Sequence, residues 1–478
     1  MKMKLELLFL TILINLTKQR KLIFALTHFR HGARAPIFPS EDNQDFFNKS
    51  WHNPSQLTGV GHRMHYILGL YNNERYITKF NLLKENFDEH DILVMSTDFN
   101  RTINSALSQL YGLYPSFNGK ITEKQKNFAN PPINLSDTIK SNINQLNEKN
   151  YYLPNSLNLI PIHIFHNSEH RIKEFENPSC KNVANEIMKK NINNSEITKR
   201  LSNFTINFSE IIKKHLKYIQ TFDYEKVEKL ADQFITDMAE GHDFETFKQN
   251  TQINDETFNN LYNFFLDFAG STMKDYQYGD SEGQLIKIDM SPFFNELVEY
   301  IQKRVNIMIN QIETRKNDFS SPKLVMISGH DSTLTSMMLF LGIMFKNENR
   351  SFYYRNPIYA SNAAFEVYLK DEQEQNLIES NFEIDYYFNG ELIDTFNFVD
   401  FKEKVKNVAY TPEEIGKICG YNTSNNGTDK KNNSSSTALI VFIILTIILA
   451  IVVVILFIII LKGKGINSTN IESLNMGT

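Results

Sequence analysis

Three short apolar runs along the chain end abruptly in polar loops, and each loop opens a helical period. Lys21–Phe29 (KLIFALTHF), Asp91–Ser96 (DILVMS) and Lys323–Ser328 (KLVMIS) are too short for core helices and lack regular polar alternation. Each therefore reads as a strand buried on both faces. Leu57–Tyr71 sets Val60, Met64, Leu68 and Tyr71 at helical spacing, with Thr58 in place as an N-cap. Further helices are expected from about Arg101 and through Leu339. The unit of strand, charged loop and helix thus recurs three times and predicts an α/β sheet. In such sheets ligands bind beyond the carboxyl ends of the strands, so the three loops should converge. Phe382, Ile384, Tyr386 and Phe388 alternate ahead of Asn389-Gly390, a strand followed by a turn. Between about 130 and 285 the period is helical, as in Glu186–Phe208 and Tyr224–Phe268, which predicts a helical insertion capping one edge of the sheet.

The two ends of the chain differ from its middle. MKMK precedes the short apolar run LELLFLTILI, the shape of a secretory signal peptide over residues 1–17. Residues 422–437 (NTSNNGTDKKNNSSST) form a polar stalk, and 438–461 are 24 residues without a charge. A helix of that length spans roughly 36 Å, enough for a bilayer. Lys462 and Lys464 follow at once, which places the 462–478 tail in the cytoplasm. The expected organisation is a type I single-pass protein, with 18–129 and 286–421 forming one α/β domain, 130–285 the helical insertion, and everything before the span outside the cytosol. Sequons at Asn48, Asn134, Asn193, Asn203, Asn207, Asn349, Asn422 and Asn426 suit a glycosylated secretory chain. Asn100 also matches but lies in a candidate site loop.

Composition narrows the function. Lys+Arg is 50 and Asp+Glu is 55 in 478 residues, a net charge of −5, which excludes a general nucleic-acid binder. Two cysteines exclude a disulfide-dense scaffold and a zinc ribbon.

The chemistry sits at the three strand ends. The first delivers Arg30-His31-Gly32-Ala33-Arg34-Ala35-Pro36. Guanidinium forks match phosphate oxygens, glycine admits close approach of backbone, and a histidine between two such arginines is placed as a nucleophile towards phosphorus. The second delivers Arg101 at a helix N-terminus, a place suited to an anion. The third delivers His330, which can bind phosphate, and Asp331, which can handle a proton, two residues that gain weight only from their place at the end of an apolar strand. His62 and His65 are separated by one helical step without an evident third ligand, so no metal site is assigned.

These motifs resemble the histidine acid phosphatases of the prostatic and lysosomal type. RHGARAP matches that family's RHGxRxP, and QLTGVG (56–61), STDFNRT (96–102), SGHDST (328–333) and PIYAS (357–361) follow in the family's order. The resemblance runs from about Lys21 to Cys419 and is thin in the insertion. It implies a phosphoglycerate-mutase-like mixed α/β sheet flanked by helices, with an α-helical cap. It also implies His31 as nucleophile, Asp331 as proton donor to the leaving alcohol, and Arg30, Arg34, Arg101 and His330 as the phosphate clamp, with no metal or other cofactor. Cys180 and Cys419 look like one of the family's disulfide pairs; the family's other cysteines are missing here. The expected substrates are phosphate monoesters. The expected location is a lysosome, another vesicle or the cell surface, with a homodimer left open. Two alternatives stand beside this: a phytase or other inositol-polyphosphate phosphatase, which needs extra Lys or Arg in its pocket, and a catalytically silent receptor or adhesion ectodomain.

Overall fold

Strand β1 (Lys21–Arg30) lies at the centre of a seven-stranded sheet and is buried from Leu22 to its end. It pairs in parallel with β4 (Leu324–Gly329) and antiparallel with β5 (Asn362–Leu369), which accounts for its unbroken apolar run. The strand order is β3-β2-β4-β1-β5-β6-β7, with β2 at Ile92–Thr97, β3 at His163–Phe165, β6 at Phe382–Phe388 and β7 at Glu391–Asn397. β3, β2, β4 and β1 run parallel, and β5, β6 and β7 complete the sheet antiparallel. The three strands read from sequence are therefore adjacent, β4 lying between β2 and β1, so their carboxyl ends open side by side. In this computed structural model the described residues run from 20 to 420 with breaks, the longest at 38–52, 166–177 and 311–320. The expected signal peptide, stalk, apolar span and tail lie outside them. Among the described residues no helix is long and apolar enough to cross a membrane.

Helices cover both faces of the sheet. α1 (Gly59–Asn72), α2 (Asn100–Leu113), α3 (Tyr224–Ala239), α4 (Gln284–Asn310), α5 (Asp331–Met344) and α6 (Phe398–Val408) are the ones that matter below. One core joins β1, β4, β5 and β6 to α4, α5 and α6 through residues such as Phe294, Phe340, Phe365 and Phe401. A second joins the other face to α2 and to the π-helix Asn73–Lys79 through Tyr76, Ala106, Leu110 and Leu113. The third core belongs to the helices between β3 and β4, and phenylalanine dominates it: Phe204, Phe234, Phe247, Phe258, Phe265 and Phe268. β3 itself falls inside the stretch read as a cap, yet its three residues pair with Met95–Thr97 and extend the sheet.

One packing face differs from the sequence reading. α1 forms as expected, with Thr58 accepting from the Gly61 N–H at 3.2 Å. It buries Gly61, His65, Gly69 and Asn72 rather than the apolar Val60, Met64, Leu68 and Tyr71. The reason is close backbone approach. A Cβ on Gly69 would lie 2.0 Å from the Gln109 carbonyl oxygen of α2, and one on Gly61 would lie 2.1 Å from the Ala33 oxygen. The helix thus presents its small residues to the loop after β1 and to α2.

Cys180, in the helix Pro178–Asn191, and Cys419, in the helix Pro412–Cys419, are joined by a disulfide across 239 residues of sequence. This is the pairing the resemblance implied.

Candidate active site

The loop after β1 is held by backbone contacts before any side chain is considered. The His31 N–H donates to Gly329 O at 3.0 Å, the Arg30 N–H to Ser361 O at 2.9 Å, and the Ala360 N–H to His31 O at 3.1 Å. Gly32 is needed on steric grounds, since a Cβ there would lie 2.5 Å from Gly61 O. His31 is 2% exposed. Its Nδ1 lies 2.9 Å from the Gly32 carbonyl oxygen. A carbonyl only accepts, so Nδ1 carries the proton and Nε2 keeps its lone pair. Burial, then Arg30, Arg34, His330 and Arg101, hold the His31 imidazole well below the usual histidine range. The shift favours the neutral ring, the form a nucleophile requires.

All six predicted site residues face one cavity of 530 Å³. Arg30 bonds Asp331 at 2.7 Å and the Pro357 carbonyl at 2.7 Å. Arg101 enters from the first turn of α2 and donates to Ser55 Oγ at 3.3 Å. Burial, followed by Arg34, pulls Arg101 down to about 10, and the opposing pull of Asp331 does not make up the difference. His330 caps α5, and its ring meets that of His31 at 5.6 Å between centroids. Its Nε2 lies 3.0 Å from Thr97 Oγ1. The Thr97 hydroxyl donates to Thr102 Oγ1, so it accepts from His330. Asp331 opens α5 and accepts from the Ser332 N–H at 2.8 Å. Burial pushes its carboxyl up, but Arg30, His330 and Arg34 outweigh that and leave it below its ordinary value. In the empty site Asp331 is therefore a carboxylate.

Several site residues were not singled out from sequence. Asp232 of α3 accepts from Arg34 Nη2 at 2.8 Å with one oxygen and from the Ile37 N–H at 2.7 Å with the other. Burial pulls Arg34 down, but Asp232 and Tyr359 outweigh it, so this guanidinium stays charged. Tyr359, within the PIYAS motif, lies 4.4 Å from the Arg30 guanidinium and 5.8 Å from that of Arg34, and its hydroxyl meets Thr236 Oγ1 at 3.2 Å. Glu228 lines the same cavity one turn before Asp232. No spacing rule marks Asp232 or Glu228, because an amphipathic helix carries such residues anywhere on its polar face. Of the remaining histidines, His62 pairs with Ser108 Oγ at 2.7 Å and His65 with Gln109 at 3.2 Å, and among the described residues no group suited to hold a metal ion occurs.

A family model described as the histidine phosphatase superfamily (branch 2) matches residues 21–388. Lysosomal acid phosphatase of Xenopus laevis is 35% identical over 116 residues, covering 23% of this chain and 26% of that protein. Prostatic acid phosphatase of Homo sapiens is 38% identical over 99 residues, covering 20% and 24%. These matches span about a quarter of the length of each relative. A longer match joins the chain to lysosomal acid phosphatase of Bos taurus, at 23% identity over 386 residues, 78% of this chain and 72% of that one. Among solved structures, the phytase from Citrobacter braakii aligns with a TM-score of 0.54 at 13% identity, over 84% of this chain and 99% of that one. This likeness is one of fold.

Proposed function

The chain belongs to the histidine phosphatase superfamily (branch 2), and on that premise we propose that it is a membrane-anchored acid phosphatase. It would hydrolyse phosphate monoesters in a lumenal or extracellular compartment through a phosphohistidine at His31. The observation that carries the reading is the meeting of Arg30, His31, Arg34, Arg101, His330 and Asp331 in one cavity. The placement outside the cytosol rests on the N-terminal apolar run, the uncharged stretch at 438–461 and the disulfide, which an oxidising compartment favours.

The chemistry follows from the geometry. A phosphate dianion enters among the three guanidiniums and His330, where positive charge stabilises the spread negative charge of the transition state. His31 Nε2 forms a bond to phosphorus as the bond to the ester oxygen breaks. The leaving alkoxide takes a proton from Asp331. In the empty enzyme Asp331 is ionised against Arg30, so the entering phosphate must both draw Arg30 away and raise the Asp331 carboxyl for it to arrive protonated. Water then attacks phosphorus, the P–N bond breaks, and Asp331 takes the proton that water gives up. Such a cycle favours acid pH, where the carboxyl is protonated and His31 remains neutral.

The inositol-polyphosphate alternative needs cations beyond the clamp. Among the described residues lining the cavity, no lysine and no further arginine is present. Purified full-length protein assayed against chromogenic and alkyl phosphate esters across pH tests the reading. Turnover highest in acid supports it, and absence of turnover at every pH refutes it. Preference for inositol hexakisphosphate over simple monoesters would favour the alternative.

A further inference from the structure

The cavity has a second wall with the opposite chemistry. Ile37, Ile235, Tyr262 and Leu266 make it apolar, and Glu228 makes it acidic. Charge around the phosphate position is nearly spent before a substrate arrives. Arg30 is matched by Asp331 at 2.7 Å and Arg34 by Asp232 at 2.8 Å. With Asp331 protonated, as the reaction requires, three guanidiniums against the Asp232 carboxylate leave two net positive charges, which a bound phosphate dianion neutralises. A further negative charge on the leaving group has no partner among the described lining residues, and a positive one does.

That partner is Glu228. It stands one turn before Asp232 on α3, roughly 6 Å along the helix axis, and lines the same cavity. Its side chain keeps contact with solvent, yet desolvation by the protein around it, then Asp232 and Glu225, push its carboxyl up to about 7, whereas Lys229 acts the other way. A carboxyl held up in this manner is one whose ionisation a nearby cation would favour. The ring of Tyr262 in the same wall offers a π face, which also attracts a cation.

We propose that the cavity selects phosphate monoesters whose leaving group carries a positive charge on an apolar spacer, with Glu228 as the residue that sets this preference. The inference rests on the phosphatase reading above and names its substrate class. The phosphate occupies the clamp, the spacer lies along the apolar wall, and an ammonium at its end reaches Glu228. The spacer must be long enough to cover the helical turn that separates Glu228 from Asp232.

The test compares ω-aminoalkyl phosphates of increasing length with unbranched alkyl phosphates of matching length, using the full-length protein near neutral pH. The ratio of kcat/KM, amino over alkyl, should exceed one and rise with length until the ammonium reaches Glu228. Since the carboxyl is solvent-accessible, the expected maximum is about threefold. Glu228→Gln should bring the ratio towards one, and Glu228→Lys should invert it in favour of ω-carboxyalkyl phosphates. Comparing variants with wild type removes any intrinsic difference in reactivity between the series. A wild-type ratio at or below one at every length, or a ratio unchanged by Glu228→Gln, would overturn the inference while leaving the phosphatase reading intact. Hydrolysis of neither series would refute that reading itself, and the inference with it.

Discussion

The floor and the wall of the cavity are built by different rules. The floor is Arg30, His31, Arg34, Arg101, His330 and Asp331, drawn from the ends of β1, β2 and β4 and the helices that follow them. The wall includes Glu228, Asp232, Ile235 and Ala239 of α3, a helix with its own phenylalanine core behind it. Sheet topology forces the floor together, because adjacent parallel strands bring their carboxyl ends to one edge. Nothing comparable forces the wall; it depends on where a separate set of helices packs. The contrast matches the two roles proposed above: the floor would carry the chemistry, and the wall would position the floor and sort leaving groups. Each experiment below asks whether that division holds.

The floor should be the more sensitive. His31→Ala removes the nucleophile and should lower kcat on the order of 10⁴-fold or more, by comparison with nucleophile removal in other covalent enzymes. The circular dichroism spectrum should not change. Residual turnover near wild type would break the assignment. Asp331→Asn keeps the shape without an acidic proton, and general acids contribute roughly 10²–10⁴-fold. The loss should be large on alkyl phosphates and much smaller on an ester with a good phenolic leaving group; equal losses would remove Asp331 from the role of acid.

Beneath the floor, His65 tests how far burial supports it. Its ring packs on Phe29 at 5.3 Å between centroids, next to the strand residue that precedes the clamp. Burial holds it down at about 4, partly offset by hydrogen bonds to Gln109 and the Arg30 backbone. The unfolded chain therefore binds a proton that the folded chain refuses as pH falls from the ordinary histidine value of ~6.5. Stability from this group is fully present above that value and is lost progressively as pH falls to about 4, a total of about 3 kcal/mol. Urea midpoints measured across this range should fall more steeply for wild type than for His65→Gln. Parallel curves would show that His65 does not titrate in the way its burial requires.

The wall should act through the floor. Asp232→Asn removes the charge that holds Arg34 and turns one of its two acceptor oxygens into an NH2 that faces a donor, and hydrogen bonds to charged groups are worth about 1.5–3 kcal/mol. The expected loss in kcat/KM is roughly 10- to 100-fold, mostly in KM, with partial recovery in Asp232→Glu. An unchanged KM would mean that Arg34 is positioned without the helix.

Legibility from sequence follows the same division. The three strands, the loops after them and all six floor residues could be read because an apolar run ending in charge is a local signal with a topological consequence. The face that α1 buries could not, because glycines chosen for backbone approach carry no hydropathy: Gly61 and Gly69 are buried where Val60 and Met64 are not fully so. Strand β3 is three residues long, too short to show a period. Asp232 and Glu228 were hidden for a different reason. Their i,i+4 spacing is that of any solvated helix face, and only the packing of α3 against the strand ends gives them a site to serve.

The central claim is that His31 Nε2 becomes bonded to phosphorus. The most direct test is to mix the enzyme with a ³²P-labelled monoester at acid pH, quench during turnover, and map the label by peptide analysis under alkaline conditions that preserve phosphohistidine. The expected result is one acid-labile, alkali-stable phosphoryl group on the peptide that contains His31 in wild type, and none in His31→Ala. Label on another residue, or turnover with no trapped phosphoenzyme in either wild type or the Asp331→Asn variant, would contradict the account.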